Sequence, residues 1–258
     1  MIRWDQVVAG YVGKPVLQDV KLRVEKGQIT GLIGPNGCGK TTLLKTAAGL
    51  LALQRGEIFL GDRLISDIGR KEVARKIAYL PQHREVPEMS VEMLVSHGRY
   101  PYLGWNKQLR DKDKEAVERA LFQTGLTQAR HREIKHLSGG ERQKAYLAMM
   151  LAQETDWLLM DEPTTFLDIR YQLEILDMMK AWRDDGKGVL SVFHDLDQAF
   201  RFCDTIVLMQ NGRIVCTGTP EKVFESGQIG EVFGVDVLCV EDKGRKIYHF
   251  QRKKAAQC

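Results

Sequence analysis

The chain has 258 residues, 43% of them hydrophobic, enough for one large buried core, which excludes an intrinsically disordered protein. Its net charge of +4, without a basic stripe interleaved with aromatics, gives no sign of a nucleic-acid partner. Five cysteines (Cys38, Cys203, Cys216, Cys239 and Cys258) show no C-x-x-C spacing, so they read as reduced thiols rather than a zinc site or a disulfide framework.

The opening "MIRWDQVVAG" has Asp5 where a signal peptide needs apolar residues. The longest apolar runs, "AYLAMMLA" and "WLLM", fall far short of the roughly 18 residues that cross a bilayer, so the expectation is a chain that stays in the cytosol. "GQITGLIG" reads as a short strand and "TTLLKTAAGLL" as a helix. Between them "GPNGCGKT" fits G-x-x-x-x-G-K-[ST], a phosphate loop. The candidate nucleotide-binding residues there are Gly34, Pro35, Asn36, Gly37, Cys38, Gly39, Lys40, Thr41 and Thr42. Backbone N–H groups and the helix N-terminus face the phosphates, Lys40 reaches the outer ones, and Thr41 can hold magnesium.

From Pro81 to Gly140 strand signals fade and helical ones dominate, as in "DKDKEAVERALFQTGL", which predicts an inserted helical lobe over about 83–152. Near its end, "HLSGGERQK" places Ser138, Gly139 and Gly140 before a long helix, as a helix cap or a second anion-binding start. "WLLMDEP" then reads as a strand that ends on Asp161 and Glu162. Acids there serve either as helix caps or, paired with the phosphate loop, as a magnesium ligand and a base for water. The following "DIRYQLEILDMMKAW" predicts a helix with Ile169, Leu173, Leu176 and Met179 on its buried face. "GVLSVFHD" followed by "LDQAFRFC" repeats strand then helix, and such repetition favours a mainly parallel sheet. "TIVLMQNGRIVCTG" carries Asn211-Gly212 between alternating strands, a type I′ hairpin, and "TPEKVFES" opens a helix with Thr219 as cap and Pro220 at the first position. The tail "QRKKAAQC" reads as a frayed basic end.

"LSGGERQ" standing just before "WLLMDEP" gives the chain a resemblance, over about residues 1–234, to the nucleotide-binding subunits of ATP-binding-cassette transporters. The resemblance implies an α/β fold: a P-loop NTPase-type core with a mainly parallel sheet, an antiparallel β subdomain and an inserted helical lobe, leaving 235–258 as a short extension of a hairpin plus tail. It implies ATP and Mg2+ as ligands and ATP hydrolysis as the activity. It places Tyr11 against adenine, Gln82 beside magnesium and the attacking water, and His194 on the γ-phosphate. It makes Asp168 part of a loop at a dimer seam, and has Ser138 with its glycines meet ATP held by a second copy of the chain. Transmembrane permease subunits and, indirectly, a substrate-binding protein follow as partners, with the chain peripheral on the cytoplasmic face of the membrane. Cys38 departs from the serine common in the family's loop; its helix start and Lys40 predict a lowered thiol pKa and inactivation by maleimide.

"LPQHREVPEMSVEMLVSHGRYPYLGW" with "LAMMLAQETDWLLMDEPTTFLDI" resembles the cassettes of iron-siderophore, haem and cobalamin importers, with zinc or manganese importers the alternative. Tyr100, Tyr102 and Trp105 in the first stretch either contact the permease or pack the lobe. A soluble repair or translation cassette and a small-molecule kinase are the competing classes. The chain shows neither a long coiled coil nor a second phosphate loop, and a kinase leaves "LSGGERQ" unexplained.

Overall fold

A computed structural model describes residues 1–105, 108–242 and 245–253. The chain begins with β1 (Ile2–Tyr11), β2 (Lys14–Val24), β3 (Ile29–Ile33), α1 (Lys40–Ala47), β4 (Leu53–Leu60), β5 (Arg63–Leu64), α2 (Arg70–Val73) and β6 (Ile77–Leu80). Helices α3 (Val91–Ser96), α4 (Asp111–Gln123) and α5 (Gly139–Ala152) follow, with no intervening strand among the described residues. Then come β7 (Trp157–Asp161), α6 (Ile169–Asp184), β8 (Gly188–Val192), α7 (Leu196–Phe202), β9 (Thr205–Gln210) and β10 (Arg213–Gly218). The described chain ends with α8 (Pro220–Glu225), α9 (Gln228–Phe233), β11 (Val235–Asp242) and β12 (Arg245–Arg252).

Strands β3, β7 and β8 are buried at every position, as near-continuous apolar runs covered on both faces must be. They sit inside a six-stranded sheet of order β10-β9-β3-β8-β7-β6, parallel except for β10. The period-2 alternation of β7 divides its side chains between two cores. Trp157 and Leu159 pack with Leu43 and Leu44 of α1 and with Trp4 and Ile58 of an antiparallel sheet of order β2-β1-β4-β5. Leu158 and Met160 pack with Leu147 of α5 and Leu176 and Met179 of α6.

The helical stretch is tied back to the core by a buried ion cluster. Arg99, 2% exposed, donates to Asp113 at the start of α4 (3.0 Å), to Glu154 (2.7 Å) and to the Ala152 carbonyl (2.8 Å). At the other end of the chain, β11 and β12 pair only with each other among the described strands, and Tyr248 packs its ring 4.8 Å from Phe200 and 5.2 Å from Phe224. Asn211 (φ 49°) and Gly212 (φ 78°) make the left-handed turn expected between β9 and β10, and Thr219 caps α8 with Pro220 in its first turn. No described helix is long and apolar enough to cross a membrane. The last tail residues, 254–258, with Cys258, lie outside the described residues.

Candidate active site

The C-terminal end of β3 opens into the phosphate loop, with Asn36 and Gly37 exposed at its tip and Thr42 buried in α1 behind it. Gly34 has φ 150°, and a Cβ there would stand 2.2 Å from the Met209 carbonyl oxygen, so only glycine lets the loop lie this close to β9. Lys40 is 8% exposed, and its ammonium donates to the carbonyl oxygens of Gly34 (2.7 Å) and Pro35 (3.0 Å). The hairpin tip supports the loop from behind: the Gly212 N–H donates to the Cys38 carbonyl at 3.0 Å, while its own carbonyl accepts from the Gln18 N–H at 2.8 Å.

Two carboxylates face this loop from the end of β7. Asp161 is 2% exposed; Thr41 stands beside its carboxylate and favours the charged form, yet Oδ2 is buried without a partner. Burial pushes the Asp161 carboxyl up, and Glu162 adds to the shift, while Thr41 and Lys40 oppose it. An orphaned carboxylate oxygen beside a threonine hydroxyl fits a hard divalent cation, which takes oxygen ligands. The next residue, Glu162, has φ 52°, a strained backbone for a side chain of this kind. Its Oε2 accepts from Gln82 Nε2 (2.8 Å) and Thr165 Oγ1 (3.1 Å), so two donors from different segments fix one carboxylate oxygen.

Tyr11, 44% exposed at the end of β1, is held by Lys45, whose ammonium lies 5.6 Å from the ring centroid and 3.3 Å from the phenol oxygen. Lys45 stands one helical turn after Thr41, on the same face of α1. His194 is exposed in the bend between β8 and α7, and no described residue hydrogen-bonds to it.

Ser138, Gly139 and Gly140 form a second cluster with Asp168. The Ser138 hydroxyl accepts from the Glu141 N–H (3.2 Å) while Glu141 accepts from the Ser138 N–H (2.9 Å), a capping box that starts α5. Gly140 is covered by Tyr171; a Cβ would lie 2.3 Å from that ring, so α5 and α6 could not approach this closely with any other residue. Asp168 caps α6 through the Tyr171 N–H (3.1 Å). No hydrogen bond among the described residues joins Ser138 to the phosphate loop. Gln143 of α5 ties the helix to the segment after β7, its Nε2 donating to the Pro163 carbonyl at 2.6 Å.

A family model described as ABC transporter matches residues 17–165. The chain belongs to the ABC transporter family. It is 41% identical over 246 residues to the petrobactin import ATP-binding protein FpuD of Bacillus anthracis, covering 90% of each chain. It is 38% identical over 240 residues to the iron(3+)-hydroxamate import ATP-binding protein FhuC of Bacillus subtilis, covering 92% of this chain and 89% of that one. A solved ATP-binding subunit of an ABC transporter superposes with a TM-score of 0.78 at 26% identity, over 91% of this chain and 98% of the other.

Two sequence expectations for this ABC transporter subunit need correction. Cys38 is 4% exposed, with its sulfur packed toward Gly34; burial pushes the thiol pKa up and outweighs the nearby Lys40, so it is not an activated thiolate. Brief maleimide treatment of the native protein should therefore label exposed Cys239 and leave Cys38 unmodified by peptide mass mapping. Labelling of both at equal rates would overturn this. Second, Ile169 and Leu173 are 68% and 40% exposed; α6 instead buries Ile175, Leu176, Met179 and Trp182. Its first turn leans on α5 through Tyr171, whose ring covers Gly140, and leaves the face at 169 and 173 open to solvent. Of the three aromatics for which both alternatives stood open, Tyr102 packs the lobe, stacked on Arg99 and donating to the Gln153 carbonyl at 2.9 Å, while Tyr100 and Trp105 are exposed. Sequence reading also missed Thr165 and Lys45. Lys45 was detectable from its four-residue spacing after Thr41; Thr165 had no local signal.

Proposed function

We propose that this chain is the ATP-hydrolysing subunit of a membrane importer, bound peripherally to the cytoplasmic face of a separate permease and driving uptake of an iron-siderophore, haem or cobalamin-type cargo. In this reading residues 1–234 are the cassette, 83–152 its inserted lobe, and 235–258 an extension. The ATPase reading is carried by one observation: Gln82 and Thr165 fix the Glu162 carboxylate next to the Asp161–Thr41 pair, beside a phosphate loop closed by Lys40. Glu162 is the base that takes a proton from water in line with the leaving ADP, and Lys40 carries the charge that develops on the transferred phosphoryl group. Thr41, Asp161 and Gln82 would hold magnesium, which when bound neutralises charge on the phosphates. Tyr11 stacks on adenine. Ser138, Gly139, Gly140 and Asp168 serve the nucleotide of a second copy, and His194 closes over the γ-phosphate.

The cargo class rests on relatives named for petrobactin and iron(3+)-hydroxamate import, and a binding protein that delivers such a chelate to the permease belongs to the same reading. Deleting the gene should abolish uptake of labelled ferric siderophore, haem or cobalamin and leave zinc and manganese uptake intact. Loss confined to zinc or manganese would sink the cargo assignment and leave the ATPase reading standing.

A further inference from the structure

Arg84, two residues beyond Gln82, is placed unlike an ordinary surface arginine. Its guanidinium lies 4.4 Å over the ring of Tyr146, and its Nη2 donates to Oε1 of Gln143. Nη1 is buried without a partner, and none of the ion pairs among the described residues includes Arg84. Burial pulls its pKa down to about 10, with the Tyr146 phenol opposing and Arg142 adding to the shift, so it remains charged at neutral pH. A half-buried cation whose Nη1 is buried without a partner costs the fold stability, so stability alone does not account for it. Beside it, the Tyr146 hydroxyl donates to the Glu85 carbonyl at 2.6 Å. The segment after Gln82 thus grips α5 at positions 143 and 146, three residues apart on one helical face.

Gln143, 7% exposed, spends its whole amide on this arrangement: the oxygen on Arg84, the nitrogen on the Pro163 carbonyl at 2.6 Å. Pro163 is joined to Glu162 by one peptide bond, and Glu162 accepts from Gln82, two residues before Arg84. The contacts close a ring: Glu162, Pro163, Gln143, Arg84, Gln82 and back to Glu162. We propose that Arg84 and Gln143 are positioning residues for ATP hydrolysis, locking α5, the helix that starts at Ser138, to the peptide next to Glu162 so that the carboxylate follows the helix. The inference rests on Glu162 being the base. With a left-handed backbone at Glu162, its carboxylate is aimed by its surroundings, and the ring supplies them.

The test uses the full-length chain. Arg84→Met keeps apolar contact with Tyr146 but removes the donor to Gln143; kcat should fall about tenfold or more, as expected of a small displacement of a reacting group, with KM for ATP within about twofold of wild type. Arg84→Lys, which restores a cation and a donor, should recover part of the loss. Arg84→Met combined with Gln143→Leu should be no slower than the slower single variant, because both break one ring. Unchanged kcat in Arg84→Met, losses that multiply in the double variant, or a fall in kcat matched by a rise in KM and a lower melting temperature would each overturn the proposal. If Gln143→Leu does not fold, the Arg84→Met and Arg84→Lys pair decides alone. A Glu162→Gln chain that still hydrolyses ATP would remove the reading beneath; an inactive Glu162→Gln beside a fully active Arg84→Met would remove the ring alone.

Discussion

Lys40→Ala is expected to lower ATP hydrolysis by about a hundredfold or more, the usual consequence of losing a preorganised charge at the transferring group. Two effects combine. In the proposed reading the ammonium is the charge that meets the outer phosphates, and its bonds to the Gly34 and Pro35 carbonyls hold the loop closed. Nucleotide affinity should fall as well, since the loop loses its internal tie. The fold should survive, because Leu43 and Leu44, not Lys40, anchor α1 in the core. Steady-state phosphate release with a melting curve checks both points, and turnover within a fewfold of wild type would show that the loop does not carry the chemistry.

Glu162→Gln is expected to separate binding from chemistry. The amide is nearly isosteric and its oxygen can still accept from Gln82 and Thr165, so the loop after β7 keeps its geometry. What is lost is the capacity to take a proton from water, worth about 10²- to 10⁴-fold in rate. ATP should bind as before and remain uncleaved, trapping two copies around nucleotide in a dimer that the wild-type chain forms only transiently. Light scattering in excess ATP measures this directly; a monomer under those conditions would count against the shared site.

Much of this site was legible where the chemistry is local. The phosphate loop is a contiguous pattern between a strand and a helix, and Asn211-Gly212 dictates its own turn whatever surrounds it. What escaped the sequence depends on which segments the fold brings together. The Gln82–Glu162 bond spans 80 residues, and the Arg84–Gln143 bond 59, so no periodicity reports either. Cys38 misled because two local features, a helix start and a neighbouring lysine, argued for a reactive thiol, while the packing that buries the sulfur is tertiary. Ile169 and Leu173 misled for a related reason: helical spacing defines a stripe but not where along the helix the core beneath it begins.

The tip of the β9–β10 hairpin has a consequence for how this chain can change. A two-residue turn between antiparallel strands is normally the part of a fold most tolerant of added or removed residues. Here a Cβ on Gly212 would fall 2.0 Å from the Val16 carbonyl oxygen, and the Gly212 N–H holds the carbonyl of Cys38. Any lengthening of the turn displaces the floor of the phosphate loop 173 residues earlier in the chain, between Cys38 and Asn211. The hairpin is therefore a fixed-length gauge for the loop, unlike the turn at Gly61, where an added Cβ meets open space.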